Sequence, residues 1–311
     1  MRERGCMPTQ TTIKNIPNQI QKNVVSLQTD TLFVSKCKFK TMSEDKNLNH
    51  NYLENFLRSI RARGRYSFTL EELKKEFDLP YPTIKQSLYR LKVKTRISQI
   101  RQGFYVIIPP EYSALETLPT VMFIDSMMKY LNKPYYVGLL SAAALHGAAH
   151  QQPMTDFIIT QTPAPRNISN KKLKILFFAK KTLLNEGIIQ KKTPAGYVNV
   201  SSPELTAFDL LENIHTFGIN RITTVLQELY EEMRPSRLSK IAKLIDNKAN
   251  IQRLGYILDT VVNDEKLADS LYKVLSRTSF SPVSLSPQKG RKGQIDSKWK
   301  IIINMQIESD L

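Results

Sequence analysis

Apolar residues recur three and four positions apart at Tyr52, Leu53, Phe56, Leu57 and Ile60, which predicts a helix ending near Gly64. Leu70, Leu73 and Phe77 repeat that spacing behind Thr69, a residue suited to capping a helix. Asp78-Leu79-Pro80 stops this second helix, because a residue preceding proline is pushed out of the α region. A third helix restarts at Tyr81-Pro82, where proline is tolerated in the first turn, and buries Ile84, Leu88 and Leu91. The period then shortens. Ile97, Ile100, Phe104, Val106 and Ile108 fall in two runs around Gln102-Gly103, a hairpin turn with glycine at positive φ. Two helices joined by a tight break, with a hairpin after them, predict a winged helix-turn-helix over residues 46–110, closed by Pro109-Pro110.

Beyond the prolines, 112–133 reads as a connecting region with a helix at about 121–131, its stripe being Val121, Ile124, Met128 and Leu131. Met127 and Met128 are assigned there to core packing or dimerisation. Residues 136–149 are small and apolar, and are expected to be helical up to Gly147. Strands are expected at 157–160, 173–178, 188–189 and 197–200. Ser202-Pro203-Glu204 then opens the first of five helices, at about 203–215, 219–232, 236–246, 249–262 and 264–276. A Pro-, Ser- and Gly-rich loop at 279–294 leads to a final strand within 298–308, expected to rejoin the sheet. The fold class is therefore α+β: an N-terminal winged helix-turn-helix followed by a mixed α/β C-terminal domain, 111–311, with a helical layer. Residues 1–45 lack a period and are rich in Thr, Gln, Asn and Lys, which predicts a disordered leader, with Met42 the expected start.

Charge changes the picture. The 311 residues carry 45 Lys and Arg against 28 Asp and Glu, a formal +17 and a pI near 9.7, which calls for a polyanionic partner: nucleic acid, an acidic membrane surface or an acidic protein. Between Asp78 and Glu111 there is no acid, while Lys85, Arg90, Lys92, Lys94, Arg96 and Arg101 all fall there. The helical face left over from Ile84, Leu88 and Leu91 presents Thr83, Lys85, Gln86, Tyr89 and Arg90, side chains that can reach phosphates and base edges. DNA-binding residues are thus expected at Thr83, Lys85, Gln86, Tyr89, Arg90 and Lys92, with Arg96 and Arg101 on the wing; an ordinary solvated helix is the competing reading. A second acid-free run, between Asp156 and Glu186, holds Arg166, Lys171, Lys172, Lys174, Lys180 and Lys181. It reads equally as a solvated sheet face, a DNA-backbone contact or a surface for an acidic partner.

Catalytic patterns are missing. No phosphate loop, dinucleotide fingerprint, nucleophile elbow or H-E-x-x-H occurs, and Glu72-Leu73-Lys74 is read as a solvated helix face rather than a nuclease fragment. His146 and His150 stand four apart, but HGAAH has no glutamate between them, and the only cysteines are Cys6 and Cys37. No catalytic residue, metal site or cofactor is expected. No run of about 18 apolar residues exists to span a bilayer, so a non-enzymatic, cytoplasmic protein is expected.

Several phrases carry a family resemblance. The letters Arg101, Gly103 and Phe104-Tyr105-Val106, followed by prolines, resemble the opening domain of AbiEi antitoxins. YYVGLLSAAALHGAAHQQP, SPELTAFDLLE, IQRLGYILD and DSKWKIIINMQIESD resemble that family's C-terminal domain, so the likeness runs from about residue 50 to 311. It implies a DNA-binding antitoxin and transcriptional autorepressor of a type IV toxin–antitoxin, or abortive infection, operon. It further implies binding to double-stranded DNA at inverted repeats in its own promoter, and a functional partner in a nucleotidyltransferase-like AbiEii toxin, without a stable complex. On this resemblance Thr83, Lys85, Gln86, Tyr89 and Arg90 take the recognition-helix role, Arg96 and Arg101 the wing, and Arg166, Lys171, Lys172 and Lys174 a secondary basic surface. The alternative is a protein-interaction module that docks on an acidic partner through its basic C-terminal zone. Oligomeric state stays open, cooperative binding of monomers being one arrangement.

Overall fold

The computed structural model describes residues 52–148 and 154–307. The expected leader, the expected start at Met42, both cysteines and His150 lie outside the described residues. Residues Arg58–Leu311 form one compact unit, and of what precedes it only the opening of the first helix is described. The architecture is mixed α+β, with helices and three sheets among the described residues.

The chain begins with α1 (Tyr52–Ala62), β1 (Ser67–Thr69), α2 (Leu70–Glu76), α3 (Tyr81–Val93), β2 (Ile97–Arg101) and β3 (Phe104–Ile107). Thr69 caps α2 reciprocally: its hydroxyl accepts from the Glu72 N–H at 3.1 Å, and the Glu72 carboxylate accepts from the Thr69 N–H at 2.9 Å. Glu72 is also ion-paired with Arg65 at 2.8 Å, so it is a cap and not a fragment of a metal site. Leu73, Ile84, Leu88 and Leu91 are buried, each contributing roughly 1.5–3 kcal/mol of transfer free energy. The hairpin gains a third strand that the hydrophobic pattern did not announce: β1 pairs antiparallel with β3, giving the order β1-β3-β2. Three residues are too few for a period-two signal to register.

Two 3-10 turns (Pro110–Leu115 and Thr120–Met122) and α4 (Ile124–Tyr130) follow, and then β4 (Tyr135–Val137), α5 (Leu139–Leu145), β5 (Asp156–Gln161), β6 (Ile168–Ser169), β7 (Lys174–Lys180), β8 (Ile188–Thr193) and β9 (Gly196–Ser201). The helix expected from residue 136 is corrected here, since Tyr135–Val137 is a strand and the helix starts only at Leu139. Aromatic and β-branched residues suit a strand, and β4 is held on both sides, antiparallel to β5 and parallel to β9. Gly138 ends it where a side chain would collide with Ile159.

Strands β4–β9 form one six-stranded sheet, in the order β6-β7-β5-β4-β9-β8. Alternation along each strand divides the core in two. Tyr136, Phe157 and Ile159 face a helical layer, while Tyr135, Val137, Ile158, Ile175, Phe177, Val198 and Val200 belong to a second cluster. That second cluster also contains Ile100, Phe104 and Val106 of the hairpin and Phe123, Met127 and Met128 of the connecting segment. The two methionines are core.

The helical layer comprises α6 (Pro203–Glu212), α7 (Ile214–Phe217), α8 (Ile219–Leu229), α9 (Pro235–Ala242), α10 (Lys248–Thr260) and α11 (Glu265–Leu275). Ser202 caps α6, accepting from the Leu205 N–H. The chain ends in a small sheet of β10 (Val283–Ser284), β11 (Gln294–Ile295) and β12 (Ile301–Ile303). This corrects the expected return of the last strand to the main sheet: β12 pairs parallel with β10 and antiparallel with β11 instead. The reason lies just before it. Trp299 is fully buried, its indole N–H donating to Asp259 at 2.8 Å and its ring pressed where a Cβ on Gly255 would overlap it, so the tail is anchored on α10.

Candidate nucleic-acid interface

Helix α3 is built from a face that must be buried and one that need not be. With Ile84, Leu88 and Leu91 turned inward, Thr83, Lys85, Gln86, Tyr89, Arg90 and Lys92 are all exposed. Tyr89 is 67% exposed and Val93, one turn on, is 66% exposed. Sequence reasoning missed Val93; its signal was a β-branched residue outside the apolar stripe. Two large, wet apolar groups between cations make a surface able to touch base edges and thymine methyls. Lys74 of α2 lies 4.8 Å above the Tyr81 ring, which places a further cation beside the start of α3. None of the cations on α3 makes an ion pair with a described residue.

The hairpin closes through Gly103, at φ +75°, whose carbonyl accepts from the Leu70 N–H at 2.8 Å, so the turn is tied to the start of α2. Arg96 is exposed at the base of the hairpin. Arg101 is placed differently from its neighbours. Its guanidinium lies 5.4 Å from the Phe177 ring centroid and donates to the Arg166 carbonyl, and its Nε is buried without a partner. Burial lowers its pKa. Tyr130 adds to this junction, donating to the Gln102 carbonyl at 3.2 Å. Arg101 therefore joins the hairpin to the six-stranded sheet, an engagement that competes with the DNA contact expected of it.

The second basic run is split by the fold. Arg166, Lys171, Lys172 and Lys174 are exposed near the β6 edge of the sheet, and Lys172 is ion-paired with Glu116. Asn170 shapes that corner, accepting from the Lys172 and Leu173 N–H groups at 2.9 and 2.8 Å. Lys180 goes inward instead. Its ammonium meets Asp209 at 2.5 Å and Glu212 at 2.7 Å. Asp209 is fully buried and also accepts from the Tyr136 hydroxyl at 3.1 Å. Burial pushes the Asp209 carboxyl up to about 6 against the opposing pull of Lys180. For Lys180 burial lowers the pKa, but its carboxylate partners outweigh this and the net direction is upward. His146, half-buried, shares a 2.7 Å hydrogen bond with the Ser201 carbonyl, and burial lowers its pKa. A neutral imidazole that donates to a carbonyl is a structural group. Among the described residues no cluster of three or more His, Cys, Asp or Glu could hold a metal.

The phrases that carried the family resemblance meet in the core. Tyr136 of YYVGLLSAAALHG reaches Asp209 of SPELTAFDLLE. In the latter phrase Glu204, fully buried, accepts from the Ser202 hydroxyl at 2.7 Å and from the Arg234 N–H at 3.0 Å. Gln252 of IQRLGYILD donates to the Trp299 carbonyl at 2.9 Å, and Arg253 to the Ser284 carbonyl at 3.0 Å. These residues hold the domain together; the exposed cations are separate from them.

Residues 136–260 match the model of the AbiEi antitoxin C-terminal domain. Among solved structures, that of the RV2827C protein from Mycobacterium tuberculosis aligns over 79% of this chain and 89% of its own, at 14% identity and a TM-score of 0.56, a likeness of fold. An antigenic nucleotidyltransferase-like protein from Paracoccidioides brasiliensis aligns over 51% of this chain and 86% of its own, at 10% identity and a TM-score of 0.28, too low for a shared fold. No curated protein matches the chain.

Proposed function

We propose, for a chain whose residues 136–260 match the AbiEi antitoxin C-terminal domain, that it is a DNA-binding antitoxin and autorepressor of a type IV toxin–antitoxin operon. Residues 46–110 act as a winged helix-turn-helix, and 111–311 as the antitoxin domain. The observation that carries the DNA-binding part is the outer face of α3: Thr83, Lys85, Gln86, Tyr89 and Arg90 are exposed together, in a stretch with no carboxylate from 79 to 110. Lys92 and Arg96 extend the face, Arg101 contributes mainly by fixing the hairpin, and Arg166, Lys171 and Lys174 offer backbone contacts on the sheet edge. The partners are double-stranded DNA at inverted repeats in its own promoter and, functionally, a nucleotidyltransferase-like toxin encoded alongside. The protein works in the cytoplasm without catalysis of its own. No helix among the described residues is long and apolar enough to cross a membrane.

The test is titration of the protein against its own promoter fragment at several salt concentrations. Specific binding weakens steeply with salt, because each phosphate neutralised releases counterions. Lys85→Ala with Arg90→Ala lowers affinity by about 10- to 100-fold and flattens the salt slope by about 2. An unchanged affinity in the folded double variant removes α3 from the interface.

A further inference from the structure

Helices α9 and α11 flank a cavity of about 330 Å³ that has no part in the DNA-binding reading. From α9 come Ser236 and Ser239 and, at its C-cap, Lys243, at spacings of three and four that put them on one face. From α11 come Lys266, Ser270 and Lys273, with Arg277 just beyond its end, again four, three and four apart. The lining holds no carboxylate. Two acids near these helices point elsewhere, Glu186 to Lys240 at 2.7 Å and Asp269 towards Lys298 at 3.8 Å, while Glu265 at the start of α11 and Asp246 beyond α9 are exposed outside the lining. None of the four lining cations makes an ion pair with a described residue.

We infer that this cleft binds a compact polyphosphate group, either the phosphate tail of a nucleotide or a short inorganic chain. Lys266, Lys273 and Arg277 along one wall and Lys243 on the other give the concavity a cationic lining with no carboxylate in it, and ammonium groups are effective point-charge partners for phosphate. The hydroxyls suit the same ligand. Those of Ser239 and Ser270 now donate to helix carbonyls three residues back, at 3.1 and 2.7 Å, and rotation about one bond redirects them into the cleft. Both serines are half-buried in the lining, with their hydroxyls within a bond rotation of the cleft. The volume is at the low end for small-ligand sites. No aromatic residue lines the cleft; Tyr272 of α11 packs edge-on against Trp299 at 5.6 Å, so the site reads phosphate and not a base. The α11 half lies beyond residue 260, outside the segment that matches the antitoxin domain.

Calorimetric titration of the full chain in about 150 mM salt, a physiological ionic strength, tests this with sodium tripolyphosphate, ATP and a short single-stranded oligonucleotide as probes. The expected result is saturable 1:1 binding of tripolyphosphate. Lys266→Ala with Lys273→Ala and Arg277→Ala weakens it by about 10-fold or more, as loss of charge-assisted hydrogen bonds requires. Ser270→Asp, which places a carboxylate in the cleft, has the same effect with the cations intact. The matched control Lys171→Ala with Lys172→Ala and Lys174→Ala changes binding less than about 2-fold, because those cations line a different face. ATP equal to tripolyphosphate identifies a nucleotide tail, and tripolyphosphate alone an inorganic chain. Equal affinity in the cleft variants and the wild type overturns the inference, as does loss of oligonucleotide binding alone.

Discussion

Two cation-rich stretches of this chain, 79–110 and 157–185, are free of carboxylates, and their cations meet different fates. In the first, Lys85, Arg90, Lys92, Lys94 and Arg96 all stay on the surface. In the second, Lys180 is drawn inward to Asp209 and Glu212, and Lys172 is met by Glu116. Absence of acids along the chain is therefore not absence of acids in space. Helix α3 packs through Ile84, Leu88 and Leu91, and the cations on its outer face make no ion pair with a described residue. Strand β7 lies inside a sheet covered by α6, and α6 supplies both of the acids that claim Lys180. A basic run becomes a binding surface only where the tertiary structure leaves it uncovered.

The contrast is sharpest for Lys180. Lys180→Met leaves Asp209 buried without its nearest cation and costs about 3–5 kcal/mol at pH 7 in urea unfolding. The pH dependence has a definite sign. The folded Asp209 carboxyl titrates near 6, above the ordinary carboxylate value, so its contribution to stability is complete at low pH and declines as pH rises towards 6. Removing Lys180 raises that carboxyl further, and the variant's deficit should shrink between pH 7 and pH 5. A deficit that does not vary with pH would show that the pair is not set by Asp209 ionisation.

Arg101 comes next. Arg101→Ala removes the Phe177 and Arg166 contacts and costs about 1–2 kcal/mol through lost packing. Lys85→Ala stays within about 0.5 kcal/mol, as a solvated position should. Equal losses at the two positions would erase the distinction drawn between them. The smallest effect is expected at the exposed pair. Lys172→Ala changes the unfolding free energy by less than about 0.5 kcal/mol, since solvent screens its link to Glu116.

Much of the N-terminal part was legible in the amino-acid order alone. Thr69 as a cap, the stop at Asp78-Leu79-Pro80, the stripe of Ile84, Leu88 and Leu91 and the glycine turn at Gly103 are local events, dictated by dihedral preference and helical period. Five of the six helices after Ser202 were legible for the same reason, to within a few residues at their ends, while the short α7 was read as the end of α6. Other features escaped because they depend on partners far away in the chain. Strand β1 exists through β3, Tyr135–Val137 is a strand because β5 and β9 flank it, and the last strand leaves the main sheet because Trp299 fits against Gly255. The cleft between α9 and α11 was equally hidden, since its two rows of cations and hydroxyls look like ordinary solvated faces until the helices lie side by side.

By itself, then, the sequence determined where helices start and stop, which face of α3 is apolar, and that the whole chain is strongly cationic, because these follow from near neighbours and from composition. Only the tertiary structure decided which cations remain free. Charge acts through space, and the carboxylates that neutralise Lys172 and Lys180 come from positions 56 and 29 residues away, Glu116 and Asp209.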